Sequence, residues 1–147
     1  MIQAIGVTPL QLTDVPKVHA YALDGTVQAG FPSPAEDLAA KRIDVFERLI
    51  QHPEATYQMR VRGHSMRGEG IFDGDILLID RAIPPRSGHI VVAVVDNEFL
   101  VKKLVISTSG QIRLQTGNAD FPDVIQCEGQ TIEIWGVVLT AFKQFQV

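Results

Sequence analysis

The sequence predicts a mostly β domain, a strongly curved, barrel-like antiparallel sheet with one short helix near its start and an extended arm ahead of it. Three observations lead there. From Thr56 onward, short apolar or alternating runs recur between turn residues, as strands of a small sheet do. One stretch, Leu38 to Ile50, spaces its apolar residues for a helix instead. Met1 to Gly30 sustains neither period and is broken by Pro9, Pro16 and Gly25. Many short strands beside a single helix make a curled, mostly antiparallel sheet the expected architecture.

Taken in order, the arm comes first, with Val15, Val18, Tyr21 and Leu23 available to dock on a groove. Phe31-Pro32-Ser33-Pro34 is rigid and extended, because each proline fixes its own φ and biases the residue before it away from helix. Ser33 is placed to cap a helix with Pro34 at its first position and Glu36 completing a capping box. Leu38, Ile43, Phe46, Leu49 and Ile50 line one face until His52-Pro53 ends the run, and core packing is the expected use of that face. Thr56 to Val61 is the next strand, leading into a glycine-rich stretch from Gly63 to Gly74 that reads as loop, short helix and turn. Ile76 to Asp80 is a buried strand, and Arg81 to Gly88 a loop around Pro84-Pro85. His89 to Val95 and Glu98 to Ile106 form a hairpin across Asp96-Asn97, a pair suited to a two-residue turn. Ile112 and Leu114 alternate with polar neighbours, and Thr131 to Phe142 is a long strand expected to bend at Gly136.

At 147 residues and 46% hydrophobic composition, the chain can close one core of ordinary size. Acidic residues outnumber basic ones, 17 to 13, and no basic block exceeds the pairs Lys41-Arg42 and Lys102-Lys103. A direct nucleic-acid footprint needs a basic stripe to displace counterions, so that class is disfavoured. Cys127 is the lone cysteine, which excludes a disulfide framework and a cysteine metal cluster and suits a reducing compartment. The first residues lack the basic region of a signal peptide, and no apolar run approaches the ~18 residues of a membrane span. A soluble cytoplasmic protein without membrane contact is the expectation. No pair of histidines has ligand spacing and Asp73-Gly74-Asp75 reads as a turn, so no metal or cofactor is expected.

The chemistry centres on Ser65, just after the Gly63 turn. A serine hydroxyl is a poor nucleophile at pH 7 unless a base takes its proton. His64 adjoins Ser65 and points elsewhere on any regular backbone. Gly63 to Gly68 spells Gly-x-Ser-x-x-Gly, which departs from the nucleophile elbow. His19, His52 and His89 are possible bases in principle, although a lone histidine more often serves as a surface or capping residue. The stronger candidate lies in Glu98 to Val105, where two lysines interrupt an apolar strand. An unperturbed lysine, pKa ~10.4, costs about 4.6 kcal/mol to present as a free amine at pH 7, and burial supplies a shift of that kind. Strand periodicity puts Lys102 with Leu100 and Leu104, and Lys103 with Val101 and Val105. Both faces are apolar, so periodicity leaves the choice between the lysines open. Each could equally be an edge-strand lysine with its ammonium in water.

Read together, "GHSM" with "DGDILLID", then "HIVVAVVDNEFLVKKL" and a late "IEIWGVVLTAF", resemble the LexA/UmuD family of self-cleaving Ser-Lys proteins. The segment "AGFPSPAEDLAAKRIDVFERLIQHPEATYQMRVRGHSM" is similar to the UmuD branch, so the resemblance runs from about Gln28 to Phe142. It implies the curled sheet typical of that family's C-terminal part. It also implies Ser65 as nucleophile, Lys102 as general base, Ala29-Gly30 as the bond cut and the Ser65 and Met66 backbone N–H groups as oxyanion donors. Residues 1–29 are then a cleavable arm and 30–147 the peptidase-type domain. The implied partners are a second copy of the chain, the RecA filament on single-stranded DNA as trigger, and a Y-family translesion polymerase for the trimmed form. LexA-type relatives carry a paired-helix DNA-binding domain ahead of the cut, and 29 residues without paired helices do not provide one. A rival expectation is a non-catalytic dimeric module or antirepressor that keeps the fold without the cleavage.

Overall fold

A computed structural model describes residues 4–5, 19–23, 27, 29–30 and 40–147. The strands are β1 (Ala4–Ile5), β2 (His19–Leu23) and β3 (Ala40–Asp44), followed by helix α1 (Val45–Leu49). After it come β4 (Thr56–Val61), β5 (Ile76–Asp80), β6 (Ile90–Val95) and β7 (Glu98–Ile106). Last are β8 (Ile112–Gln115), β9 (Val124–Ile125) and β10 (Ile132–Phe142). Eight of them form one antiparallel sheet in the order β1-β4-β5-β10-β6-β7-β8-β9, with β2 and β3 as a separate pair. The mostly β class and its curled antiparallel sheet are as the sequence predicts.

The last strand is the keel. β10 pairs with β5 on one side and β6 on the other, and each register slips once, around Trp135 and between Val138 and Thr140. Such bulges raise the local twist and bend the strand, which lets one sheet curl. At Gly136 an added Cβ would stand 2.5 Å from the Ile79 side chain, so only glycine permits this approach. Trp135 is held by edge contacts with Tyr57 and Phe99, with the Arg81 guanidinium over its ring.

Apolar residues fill both faces of the bent sheet. One cluster joins Met59, Val61, Leu77 and Ile79 to Val92 and Val101, and is closed by Met66 and Ile71 from the loop after β4. The other joins Val91, Ala93 and Val95 to Leu100, Leu104, Leu114 and Val137. The β6–β7 hairpin turns at Asp96 (φ 49) and Asn97 (φ 64), the left-handed pair of a type I′ turn, which its Asp-Asn sequence predicts.

Two expectations need correction, and a third element was missed. Among the described residues of the helix expected from Pro34 to Ile50, Val45–Leu49 is helix while Ala40–Asp44 is strand. Its Ser33 cap and Pro34 start lie outside the described residues. β3 pairs with β2 from His19↔Asp44 to Leu23↔Ala40, so a ladder supplies the backbone partners that a helix would have supplied internally. Asp44 then caps the helix, accepting from the Phe46 and Glu47 N–H groups at 3.0 and 3.4 Å. Likewise the arm is not free of strands, since Ala4–Ile5 pairs with β4 and His19–Leu23 with β3. The two-residue β9 is too short to leave a period.

Candidate active site

Between β4 and β5 the chain folds into the loop that the glycines announce. Gly63 (φ 101) opens it, and its N–H donates to Asp73 Oδ1 at 2.7 Å across the loop's base. A turn from His64 to Arg67 follows, with Ser65 and Met66 at its centre and the Arg67 N–H reaching the His64 oxygen at 3.4 Å. Arg67–Glu69 is a 3₁₀ turn that ends at left-handed Gly70. The Met66 side chain is fully buried in the first core cluster, and its carbonyl accepts from Glu69 and Ile71 N–H at 3.0 and 3.2 Å. The residue after the serine is thus an apolar anchor.

Lys102 meets the serine from β7, where it lies opposite Val91 and between the buried Leu100 and Leu104 of its own face. Its Nζ is 2.7 Å from Ser65 Oγ. Ser65 has no exposed surface and Lys102 is 3% exposed. Burial lowers the lysine's pKa from its ordinary value by penalising the ammonium, and the Asp123 carboxylate opposes that shift. Once neutral, such an amine can accept a hydroxyl proton along the same hydrogen bond, which is the geometry a general base needs beside a nucleophile. Lys103 faces the other way, with Nζ 3.2 Å from Glu69 Oε1 and a third of its side chain exposed.

The histidines are engaged elsewhere. His52 Nδ1 is 2.7 Å from Asp80 Oδ2, and His89 Nδ1 accepts from the Arg86 N–H at 3.1 Å. His64 contributes its carbonyl to the serine turn, and the His19 side chain lies outside the described residues.

Sequence reasoning missed the segment after β8. The Thr116 hydroxyl donates to the Ser65 carbonyl at 2.6 Å, the Gly117 N–H to the same oxygen at 2.8 Å, and Asn118 Nδ2 to the His64 carbonyl at 2.9 Å. The Gly117 carbonyl accepts from the Gly68 N–H at 2.6 Å. Asp123 Oδ1 holds the segment by accepting from the Thr116 N–H at 2.9 Å. A Thr-Gly-Asn triplet reads only as a turn, and nothing in the letters ties it to a serine 51 residues earlier.

Ala29 and Gly30 are exposed, as is Val27, and an added Cβ at Gly30 would meet nothing within 4 Å. The molecule brings Ser65 and Lys102 together and leaves Ala29-Gly30 in the open.

The Peptidase S24-like family profile matches residues 22–139. The chain is a UmuD-type member of that LexA/UmuD family. Within this serine peptidase family it is 42% identical over 113 residues to protein MucA of Salmonella typhimurium, covering 76% of each chain. To protein ImpA of Escherichia coli it is 39% identical over 111 residues, 76% of this chain and 74% of the relative. The LexA repressor of Xylella fastidiosa is 42% identical over 113 residues, but only 53% of its length is matched. No helix among the described residues is long and apolar enough to cross a membrane.

Proposed function

We propose that this chain is a self-cleaving SOS-response protein that cuts its own Ala29-Gly30 bond with a Ser65-Lys102 dyad. The observation that supports this most is the dry 2.7 Å contact between a serine hydroxyl and a lysine amine of lowered pKa. Lys102 Nζ takes the hydroxyl proton as Ser65 Oγ bonds to the Ala29 carbonyl carbon. The carbonyl oxygen becomes an oxyanion, held by the Ser65 and Met66 N–H groups. When the tetrahedral centre collapses, the C–N bond breaks and Lys102 returns its proton to the leaving Gly30 amine. Water, deprotonated by the same amine, then releases Ala29 from Ser65.

The buried dyad and the exposed bond describe a resting state. Cleavage needs the arm to move until Ala29 replaces whatever covers Ser65, and a partner that binds the moved state better shifts the population toward it. The RecA filament is that partner in this reading. The trimmed product, residues 30–147, acts in the cytoplasm as a homodimer that joins a Y-family translesion polymerase.

Mass spectrometry of the purified chain at mildly alkaline pH, with and without RecA filaments, tests the reading. The expected result is one fragment ending at Ala29 and one beginning at Gly30. A chain that stays intact under both conditions favours the second reading, a non-catalytic dimeric module or antirepressor on the same fold, which the exposed position of Gly30 would then suit.

A further inference from the structure

We propose that Thr116, Gly117 and Asn118 aim the oxyanion hole, acting as positioning residues on the two peptide groups that flank the nucleophile. The proposal rests on the self-cleavage reading above. A trans peptide is planar, and its carbonyl and N–H point in opposite directions. No cis peptide occurs among the described residues. Fixing the His64 oxygen therefore fixes the direction of the Ser65 N–H, and fixing the Ser65 oxygen fixes that of the Met66 N–H. The Asn118 amide does the first, and the Thr116 hydroxyl with the Gly117 N–H does the second.

The clamp itself uses neither N–H group. Among the described residues neither Ser65 nor Met66 gives its N–H to a hydrogen bond, although both side chains are fully buried. Buried backbone donors are nearly always paired, so two adjacent ones without a partner among the described residues suit an acceptor that comes and goes.

The clamp is itself rigid. The Asn118 amide is oriented from both ends, with Nδ2 on the His64 oxygen and Oδ1 accepting from the Asp120 N–H at 3.0 Å. A side chain at Gly117 would press on Met66 Cα at 3.1 Å and on the Glu69 N at 3.2 Å. One at Gly68 would collide with the Gly117 carbonyl oxygen. The two loops approach as closely as backbone allows, and the N–H directions are set by contacts made on folding rather than by the substrate.

Four variants, Asn118→Ala, Thr116→Val, Thr116→Ser and the double Asn118→Ala/Thr116→Val, test this in the full-length chain. Cleavage is timed well below each variant's Tm across a range of pH. Losing one oxyanion donor costs on the order of 10² to 10³ in rate, so misaiming one by Asn118→Ala is expected to cost about 10- to 100-fold. Thr116→Val is expected to cost less, because the Gly117 N–H stays on the Ser65 oxygen, and Thr116→Ser to restore the rate. The pH at half-maximal rate should not move, since the base is untouched. In a Lys102→Ala background that cannot cut, Asn118→Ala should shift the Ser65 backbone amide resonance and Thr116→Val that of Met66. Folded variants that cleave at the wild-type rate, or amide resonances that stay in place, would overturn the proposal. A wild-type chain that never cuts while the amides still shift instead sinks the cleavage reading, which keeps the two failures distinct.

Discussion

Two polar pairs close at the same distance, 2.7 Å, and differ in everything around them: half-exposed His52 with buried Asp80, and Lys102 with Ser65, both buried. Asp80 has no exposed surface, yet donors converge on both its oxygens: His52 on one, the Ala82 and Ile83 N–H groups on the other, at 2.7 and 3.3 Å. It ends β5 and ties that strand to the loop after it and to the chain before β4. Lys102 is almost as buried, and among the described residues its hydrogen-bond partner is one neutral hydroxyl. A buried charge surrounded by donors is a structural joint, whereas a buried ammonium facing a hydroxyl and leucines favours losing its proton. The same sheet thus carries a brace on β5 and, across β10 and β6, an amine on β7 that burial disposes to lose its proton.

The comparison breaks most sharply on Ser65→Ala or Lys102→Ala. Each should lower self-cleavage by at least about 10³-fold, as members of a catalytic unit do, with the far-ultraviolet circular dichroism unchanged. Asp80→Ala should do the reverse. Leaving the Ala82 and Ile83 donors and His52 unpaired costs roughly 2 to 4 kcal/mol of stability, read by urea unfolding, and leaves the pH at half-maximal cleavage unmoved.

Smaller effects sharpen the difference. Cleavage should rise with pH as Lys102 sheds its proton, reaching half-maximum below the ordinary lysine value of ~10.4. Asp123 opposes the lowering, so Asp123→Asn should move that midpoint further down in a pH-rate profile, and a move upward would contradict the assignment. The stability linkage has a definite sign. Because the folded pKa is lowered, the unfolded chain binds more protons between the two values, and stability gains as pH rises through that window. Lys102→Met should remove this dependence and modestly raise Tm at neutral pH. Lys103→Ala, at an ion pair with Glu69 about one-third exposed, should change stability by less than about 1 kcal/mol and leave cleavage as it was.

Much of this was legible in the letters because the deciding signals are local. The Asp96-Asn97 turn, the Gly136 bend and the strands from Thr56 to Phe142 each follow from a few consecutive residues. The serine loop is equally local, since Gly63, Gly70 and Gly74 all take the left-handed backbone that marks a turn. What failed was decided by distant pairing. Leu38 to Ile50 has helical spacing, but the ladder with His19–Leu23 converts Ala40–Asp44 to strand, and Asp44 with Glu47 three residues on was the capping signal that went unread. Period two could not rank Lys102 above Lys103, because the ranking depends on where the Ser65 loop lies relative to β7. Thr116, Asn118 and Asp123 were invisible for the same reason, as their partners are carbonyls and charges far away in sequence.

The most direct test of the central claim is a heteronuclear NMR titration of the Lys102 side chain, assigned by its disappearance in Lys102→Arg. A Lys102 signal that titrates well below the other lysines, and that returns toward the solvated range when the chain is unfolded in urea, is the predicted result. A Lys102 that titrates in the ordinary lysine range would contradict the account, because an amine still charged at neutral pH cannot take the proton of Ser65.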